Sequence, residues 1–337
     1  MRSSTWRRRT AIWNHARPPV PPCSCPEGDT MAKFCVIGSL NMDLVVNVDR
    51  FPRPGETLVG TAFATHPGGK GANQAVALAR LEADVRMIGR IGDDGFGESY
   101  RRTLTAEGVH DHSVETVAGV PTGIAAIEVD ASGENHIVIV AGANGTVDAA
   151  FIDAARDQIA ECDFALFQLE IPLESTEYAL SVAKEVGCAT ILDPAPAQTL
   201  SSALVSHVDY LTPNAHEAEI LTGIAVTNEE SARRAAEKLV AMGARNAVIK
   251  AGSLGAFILS DGAFLAVPGF AVEVVDTTAA GDAFNAGLAW ALGLGEPLPQ
   301  AVRYANAVGA LACRAAGAQA AMPTEAAVRA FVEQQSR

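Results

Sequence analysis

The run Asp276-Thr277-Thr278-Ala279-Ala280-Gly281-Asp282 has the make-up of a phosphate cradle with a carboxylate beside it. Before it, Phe270–Val275 alternates and is rich in β-branched residues, which predicts a strand. After it, Ala283–Leu292 is rich in Ala and Leu, which predicts a helix. A small-residue turn between strand and helix leaves the first helical N–H groups without internal partners, and the helix dipole adds partial positive charge there. Such a terminus binds anions. Ala279, Ala280 and Gly281 carry no bulk, so a phosphate can approach the backbone. Asp282 falls in the first helical turn and has two readings. As an N-cap it would only satisfy backbone N–H groups. As a base it would take the proton from a hydroxyl that attacks a phosphoryl group, and the adjacent cradle favours this second role.

Other strand-end motifs carry polar groups of the right kind. Gly68-Gly69-Lys70-Gly71-Ala72-Asn73-Gln74 also leads into a helix. It is not a Walker P-loop, because Gly71 follows Lys70 where Ser or Thr is required. The backbone of Gly68 and Gly69 and the amide of Asn73 suit sugar hydroxyls. Asn41 and Asp43 follow the first strand and are suited to the same task, or to an ordinary turn. Glu170 is a further carboxylate at a strand end. Asn214 and Glu217, three apart, either form a helix capping box or hold a phosphate oxygen and a water of Mg2+. Lys250-Ala251-Gly252-Ser253-Leu254-Gly255 is a third small-residue turn, suited to ATP phosphates or ribose.

The elements that must position these groups follow from the hydrophobic pattern. Phe34–Gly38, Val85–Ile91, Phe164–Leu169, Thr190–Asp193, Tyr210–Thr212, Ala247–Lys250, Ala256–Ser260 and Val272–Val275 read as strands, with helices such as Ala72–Leu81 between many of them. This alternation predicts an α/β fold, a three-layer sandwich around a mainly parallel central sheet. Ligands of such folds gather at the carboxyl ends of the strands. Leu44–Ala64 and Gly123–Val140 are strand-like without helices and carry the turns Pro52–Gly55 and Asp130–Gly133. They predict a small β lid from about 44–66 and 121–141.

The chain has 337 residues, 49% of them hydrophobic and 19% charged, enough to bury a large core. Its formal net charge is −14. Residues 1–30 hold five Arg and two acidic residues, so the remainder carries 20 basic and 37 acidic residues. An acidic body argues against a nucleic-acid partner but not against ATP, whose phosphate sites are local. The six Cys, at 23, 25, 35, 162, 188 and 313, form no C-x-x-C pair, which argues for free thiols in a reducing cytoplasm. No apolar run has the length of a membrane span. Residues 1–30, with clustered Arg and Pro, are expected to be a disordered extension or to precede the natural start at Met31. Residues 31–337 are expected to form the functional domain.

Taken together, Gly68–Gln74, Asp276–Asn285, the Asn214–Glu217 pair and the Lys250–Gly255 turn resemble the ribokinase-like (PfkB) carbohydrate kinase family, from about Met31 to Pro323. The resemblance implies ATP-dependent phosphorylation of D-ribose at its 5-hydroxyl, with deoxyribose, fructose or a nucleoside as alternative acceptors. It implies Asp282 as base and Ala279, Ala280 and Gly281 as anion hole. Asn41, Asp43, Gly69, Lys70, Asn73 and Glu170 would line the sugar site. Asn214, Lys250, Gly252, Ser253, Gly255, Gly281 and Asn306 would line the nucleotide site, with Glu217 supporting Mg2+ through water. A K+ site would use Asp276 and the carbonyls of Thr278, Ala312, Ala315 and Gly317, with Ala321 nearby. The lid would also pair two subunits into a homodimer. Lys250 departs from the family, where a small polar residue is common, a departure that bears on nucleotide contacts and is expected to leave catalysis untouched. Outside this class stand a non-catalytic sugar sensor, which the intact Asp282 disfavours, and a dinucleotide oxidoreductase, which lacks its G-x-G-x-x-G after the first strand.

Overall fold

The computed structural model describes residues 31–335, and the N-terminal extension of residues 1–30 lies outside the described residues. Thirteen strands are formed among the described residues. They are β1 (Lys33–Ile37), β2 (Asn41–Asn47), β3 (Ala62–Gly68), β4 (Asp84–Gly92), β5 (His110–Val117), β6 (Gly123–Val129) and β7 (Asn135–Val140). They continue as β8 (Phe164–Phe167), β9 (Ala189–Leu192), β10 (Tyr210–Leu211), β11 (Asn246–Lys250), β12 (Ala256–Ser260) and β13 (Ala263–Val267). The main sheet has nine strands in the order β13-β12-β11-β10-β9-β8-β1-β4-β5. It is parallel from β11 through β5, and at one edge β12 pairs antiparallel with both β11 and β13.

The layering can be read along single strands. In β1, Phe34 and Val36 enter one apolar cluster and Cys35 and Ile37 enter another. In β8, Phe164 and Leu166 go one way and Ala165 and Phe167 the other. Successive side chains of a strand point to opposite faces, so a strand apolar on both is covered by helices on both. Helices Lys70–Arg80, Ala280–Gly293 and Leu298–Ala312 supply Leu78, Leu288 and Val308 to one cluster. Helices Leu173–Glu185 and Glu229–Ala241 supply Leu180 and Leu239 to the other. Each large side chain so buried contributes about 1.5–3 kcal/mol.

A second sheet of four strands, in the order β3-β2-β6-β7, is formed by the segments without helices. The pairing of β2 with β6 is parallel, and β3 and β7 flank it antiparallel. All six residues of β7 are exposed.

One expected strand is absent. Phe270–Val275 has strand composition but no strand pairing, and Val274 and Val275 are exposed. β-propensity acts only where a pleated surface is offered, and here the chain has already left the sheet after β13. The N–H groups of Val275 and Asp276 donate instead to the carbonyl of Cys313. The following helix begins at Ala280, three residues before the expected start. Strands β5 and β13 are formed although the pattern did not mark them.

Candidate active site

Asp282 is not an N-cap. The helix is capped by Ala279, with no side-chain cap, and Asp282 is its third residue. Ala279 itself adopts φ 57° and ψ 13°, the left-handed region, which is uncommon for a residue with a Cβ and stores strain at this turn. The N–H of Ala280 donates to the Thr277 carbonyl at 3.2 Å, so this member of the expected anion hole is engaged within the turn. Among the described residues the N–H of Gly281 meets no acceptor. The Asp282 carboxylate is buried and accepts from Asn73 Nδ2 at 3.0 Å and from Gln74 Nε2 at 3.1 Å. Burial pushes its pKa up to about 6; the Lys70 ammonium opposes the shift and the Asp193 charge adds to it.

Two of the residues expected to line the sugar site, Asn41 and Lys70, meet Glu170, which follows β8. Its Oε2 accepts from Ser39 Oγ at 2.5 Å, from the Lys70 N–H at 3.0 Å and from Asn41 Nδ2 at 3.4 Å. Asn41 is held on its other side too, its Oδ1 accepting from Asn144 Nδ2 at 2.8 Å. Gly69 is required twice over: its φ is +83°, and a Cβ there would lie 2.6 Å from the Asn41 nitrogen. A Cβ on Gly68 would strike the Asp43 carboxylate at 2.2 Å. Tyr100 OH donates to the Gly68 carbonyl and accepts from Gln319 Nε2, which pins the loop from behind. The Asp43 carboxyl is pushed up to about 7, first by burial and then by the charges of Glu170 and Asp282. Burial works against the ammonium of Lys70, but Asp282, Asp193, Glu170 and Glu217 hold it above the usual lysine range.

Asn214 and Glu217 do form the capping box. Asn214 Oδ1 accepts from the Glu217 N–H at 2.8 Å, and Glu217 Oε2 accepts from the Asn214 N–H at 2.7 Å. The Asn214 side-chain amide also reaches Glu217 Oε1, at 2.8 Å. Burial raises the Glu217 pKa, against the pull of Lys250. Gly252, Ser253 and Leu254 make a short 3-10 turn after β11. Gly255 closes it at φ +86°, where a Cβ would meet the Val267 carbonyl at 2.2 Å. The Asn306 amide donates to the carbonyls of Val267 and Pro268, both at 3.2 Å, and so secures the segment behind that turn. The Lys250 side chain does not lie along the turn; its ammonium bonds Asp193 at 2.8 Å.

Composition did not flag Asp193, Gln74, Ser39, Asn144 or Tyr100. Asp193 and Gln74 had a usable signal: a carboxylate immediately after a strand, and the last residue of the Gly68–Gln74 run. Ser39, Glu170, Asp193, Asn214 and Lys250 all lie at or just past the carboxyl ends of parallel strands, where ligands of this architecture bind.

Asp276 lies apart from these groups. Its Oδ1 accepts from the Thr278 N–H at 2.9 Å and hydroxyl at 2.7 Å, and its Oδ2 from the Gly317 N–H at 2.8 Å. Partial burial opposes its charge, but these bonds hold the carboxyl below the usual range. The structure therefore brings the 275–278 and 313–317 segments together. The Thr277 N–H also acts on this carboxylate, so four donors of the protein surround it.

A separate cavity of about 300 Å3 is lined by Asp84, Arg86, His110 and Glu161, with Asp84 and His110 at the amino ends of β4 and β5. It contains none of the groups above.

The profile of the pfkB family carbohydrate kinases matches residues 31–325. Ribokinase of Haemophilus influenzae is 42% identical over 298 residues, 88% of this chain and 97% of that protein. Ribokinase of Bacillus subtilis is 43% identical over 294 residues, 87% of this chain and 97% of that protein. The structure of Arabidopsis thaliana ribokinase complexed with ribose and ATP superposes with a TM-score of 0.85 at 31% identity, over 90% of this chain and 99% of that one.

Proposed function

The chain belongs to the pfkB family of carbohydrate kinases, and from that premise we propose that it transfers the γ-phosphoryl group of ATP to the 5-hydroxyl of D-ribose, giving D-ribose 5-phosphate and ADP. The observation that carries this reading is the Asp282 carboxylate, buried, held by two amides, and next to a helix-terminal N–H without an acceptor. The hydroxyl oxygen bonds to phosphorus as the bond to ADP breaks, and the hydroxyl proton passes to Asp282. Even with its pKa at about 6, Asp282 is far too weak a base to remove that proton in advance. It accepts the proton as charge moves onto the phosphoryl group. The Gly281 N–H stabilises that charge, and positioning by the fixed carboxylate contributes the rest of the protein's share.

Asn41, Asp43, Gly69, Lys70, Asn73 and Glu170 are assigned to the sugar. Glu170 Oε2 is occupied by protein donors, which leaves Oε1 for a sugar hydroxyl. Asn214, the Lys250–Gly255 turn and Asn306 are assigned to the nucleotide. Bound Mg2+ would neutralise charge between the β- and γ-phosphates. Glu217 fits it through water, since each of its oxygens accepts one protein donor and keeps a lone pair. Asp276, whose donors keep it ionised, is assigned to K+ together with nearby carbonyls. A homodimer through the lid is supported by exposed apolar residues on it, Phe63 at 65% and Ile137 to Val140 at 44–63%. The four cysteines among the described residues form no disulfide, which suits the cytoplasm, and no described helix is long and apolar enough to cross a membrane.

The test is ADP release with ATP against a panel of pentoses, hexoses and nucleosides, with the phosphorylated position read by NMR. Ribose is expected to give the highest kcat/KM. A higher value for deoxyribose, fructose or a nucleoside would move the acceptor assignment, and ribose binding without turnover would leave a sensor.

A further inference from the structure

The geometry points to Lys250 as a catalytic residue whose ammonium meets the phosphoryl group in transfer, and to Asp193 as the residue that positions it; both assignments rest on the kinase reading above. Lys250 is the last residue of β11 and Asp193 immediately follows β9, so each reaches the site from the carboxyl end of its strand. Their side chains are only 12% and 3% exposed, and they meet at 2.8 Å. A buried ion pair is expensive to assemble and strongly destabilising if one partner is removed, which makes it a poor choice for mere stability.

Three observations place this ammonium at the chemistry. A methyl group on Gly281 would lie 3.4 Å from Lys250 Nζ, so the ammonium borders a cradle residue whose N–H meets no acceptor among the described residues. The other oxygen of Asp193 accepts from Gln74 Nε2 at 3.4 Å, and the same nitrogen donates to Asp282 at 3.1 Å. Lys250 thus connects through two side chains to the base. The Lys250 N–H also donates to the Pro213 carbonyl at 2.8 Å, fixing the strand end beside the Asn214–Glu217 motif. An ammonium has three donor hydrogens. One is spent on Asp193, and no other side-chain acceptor takes the remaining two among the described residues. Fixed charge in a site closed from water is where transition-state stabilisation is largest. Lys250 is therefore not a neutral departure from its family at the edge of the nucleotide turn.

The experiment is a double-mutant cycle on the full chain, using whichever sugar the wild type phosphorylates. Failure of the wild type on ribose would count against the substrate assignment alone, because the Lys250 claim is read in ratios to the wild type. Lys250→Met is expected to lower kcat about 10²-fold. The Kd for ribose, measured by calorimetry without nucleotide, should stay within about twofold. Lys250→Arg, which keeps the charge, should recover part of the loss. Asp193→Asn should lower kcat less, and Lys250→Met/Asp193→Asn should be as slow as Lys250→Met alone, because Asp193 acts through Lys250. Affinity for β,γ-methylene-ATP should fall in Lys250→Met while that for AMP does not, a split that a folding defect would not produce. The proposal is overturned if Lys250→Met keeps near wild-type kcat. It is equally overturned if the double variant regains wild-type turnover, since Lys250 would then be only a counter-ion for Asp193.

Discussion

Asn73 donates its side-chain amide to the Asp282 carboxylate at 3.0 Å, across 209 positions of sequence. This bond joins the helix of the first glycine-rich motif to the helix of the second. The Gly68–Gln74 and Asp276–Asp282 runs are thereby held in one frame, with the carboxylate at their junction. A neighbouring bond from Gln74 fixes the other oxygen. Asp282 is oriented by two residues that themselves follow Gly68 and Gly69.

Asp282→Asn keeps the shape of the side chain and removes its basicity. Turnover should fall roughly 10²–10⁴-fold, with ribose affinity much less affected. Steady-state rates and calorimetry check this, and near wild-type turnover would contradict the assignment of the base.

The acid limb of kcat/KM should lie well above the usual aspartate range. Burial raises the Asp282 pKa to about 6, so the carboxylate is protonated below that pH and cannot accept the hydroxyl proton. Activity should be present above pH 6 and be lost as pH falls through it. A kcat/KM profile that stays flat down to the pKa of a free aspartate, about 3.9, would refute this.

Gly69→Ala should damage both fold and sugar site. At φ +83° a Cβ is strained by about 1–3 kcal/mol, and this one would also press on the Asn41 nitrogen at 2.6 Å. The expected result is a lower Tm together with a raised KM for ribose. An unchanged Tm would show that the loop relaxes freely.

Asn41→Met should erode the preference for ribose over 2-deoxyribose. A site that bonds a hydroxyl rejects the analogue lacking it, because its own polar groups are then left unpaired. Asn41 also orients Glu170 and bonds Asn144, so the absolute rates should fall for both sugars. The decisive measurement is the ratio of the two kcat/KM values; a ratio equal to that of the wild type means Asn41 does not read that hydroxyl.

Turnover should be higher in K+ than in Na+ at equal ionic strength, and Asp276→Ala should abolish the difference. Asp276 ties Thr278 to Gly317, and so governs the turn that ends at Gly281. Equal rates in the two salts for the unmodified protein would remove the cation from the account.

Much of this protein is written in local sequence. The Gly68–Gln74 and Asp276–Asp282 runs, the alternating strand pattern and the helix-free lid segments each depend on neighbours a few positions away, so periodicity and turn chemistry expose them. What local pattern could not decide is where chains from distant strands meet. Phe270–Val275 has the residues of a strand, yet no partner strand is offered to it once β13 has closed the sheet edge. Asn214 and Glu217 had two equal readings until the fold set their side chains on each other. Asp193 and Lys250 stand 57 residues apart, in turns that look ordinary alone. Only the parallel order β9-β10-β11 brings both strand ends to one side of the sheet and buries the pair beside Gly281. An ion pair of that kind depends on burial and on a shared low-dielectric space, and those are properties of the packed sheet, absent from any stretch of sequence.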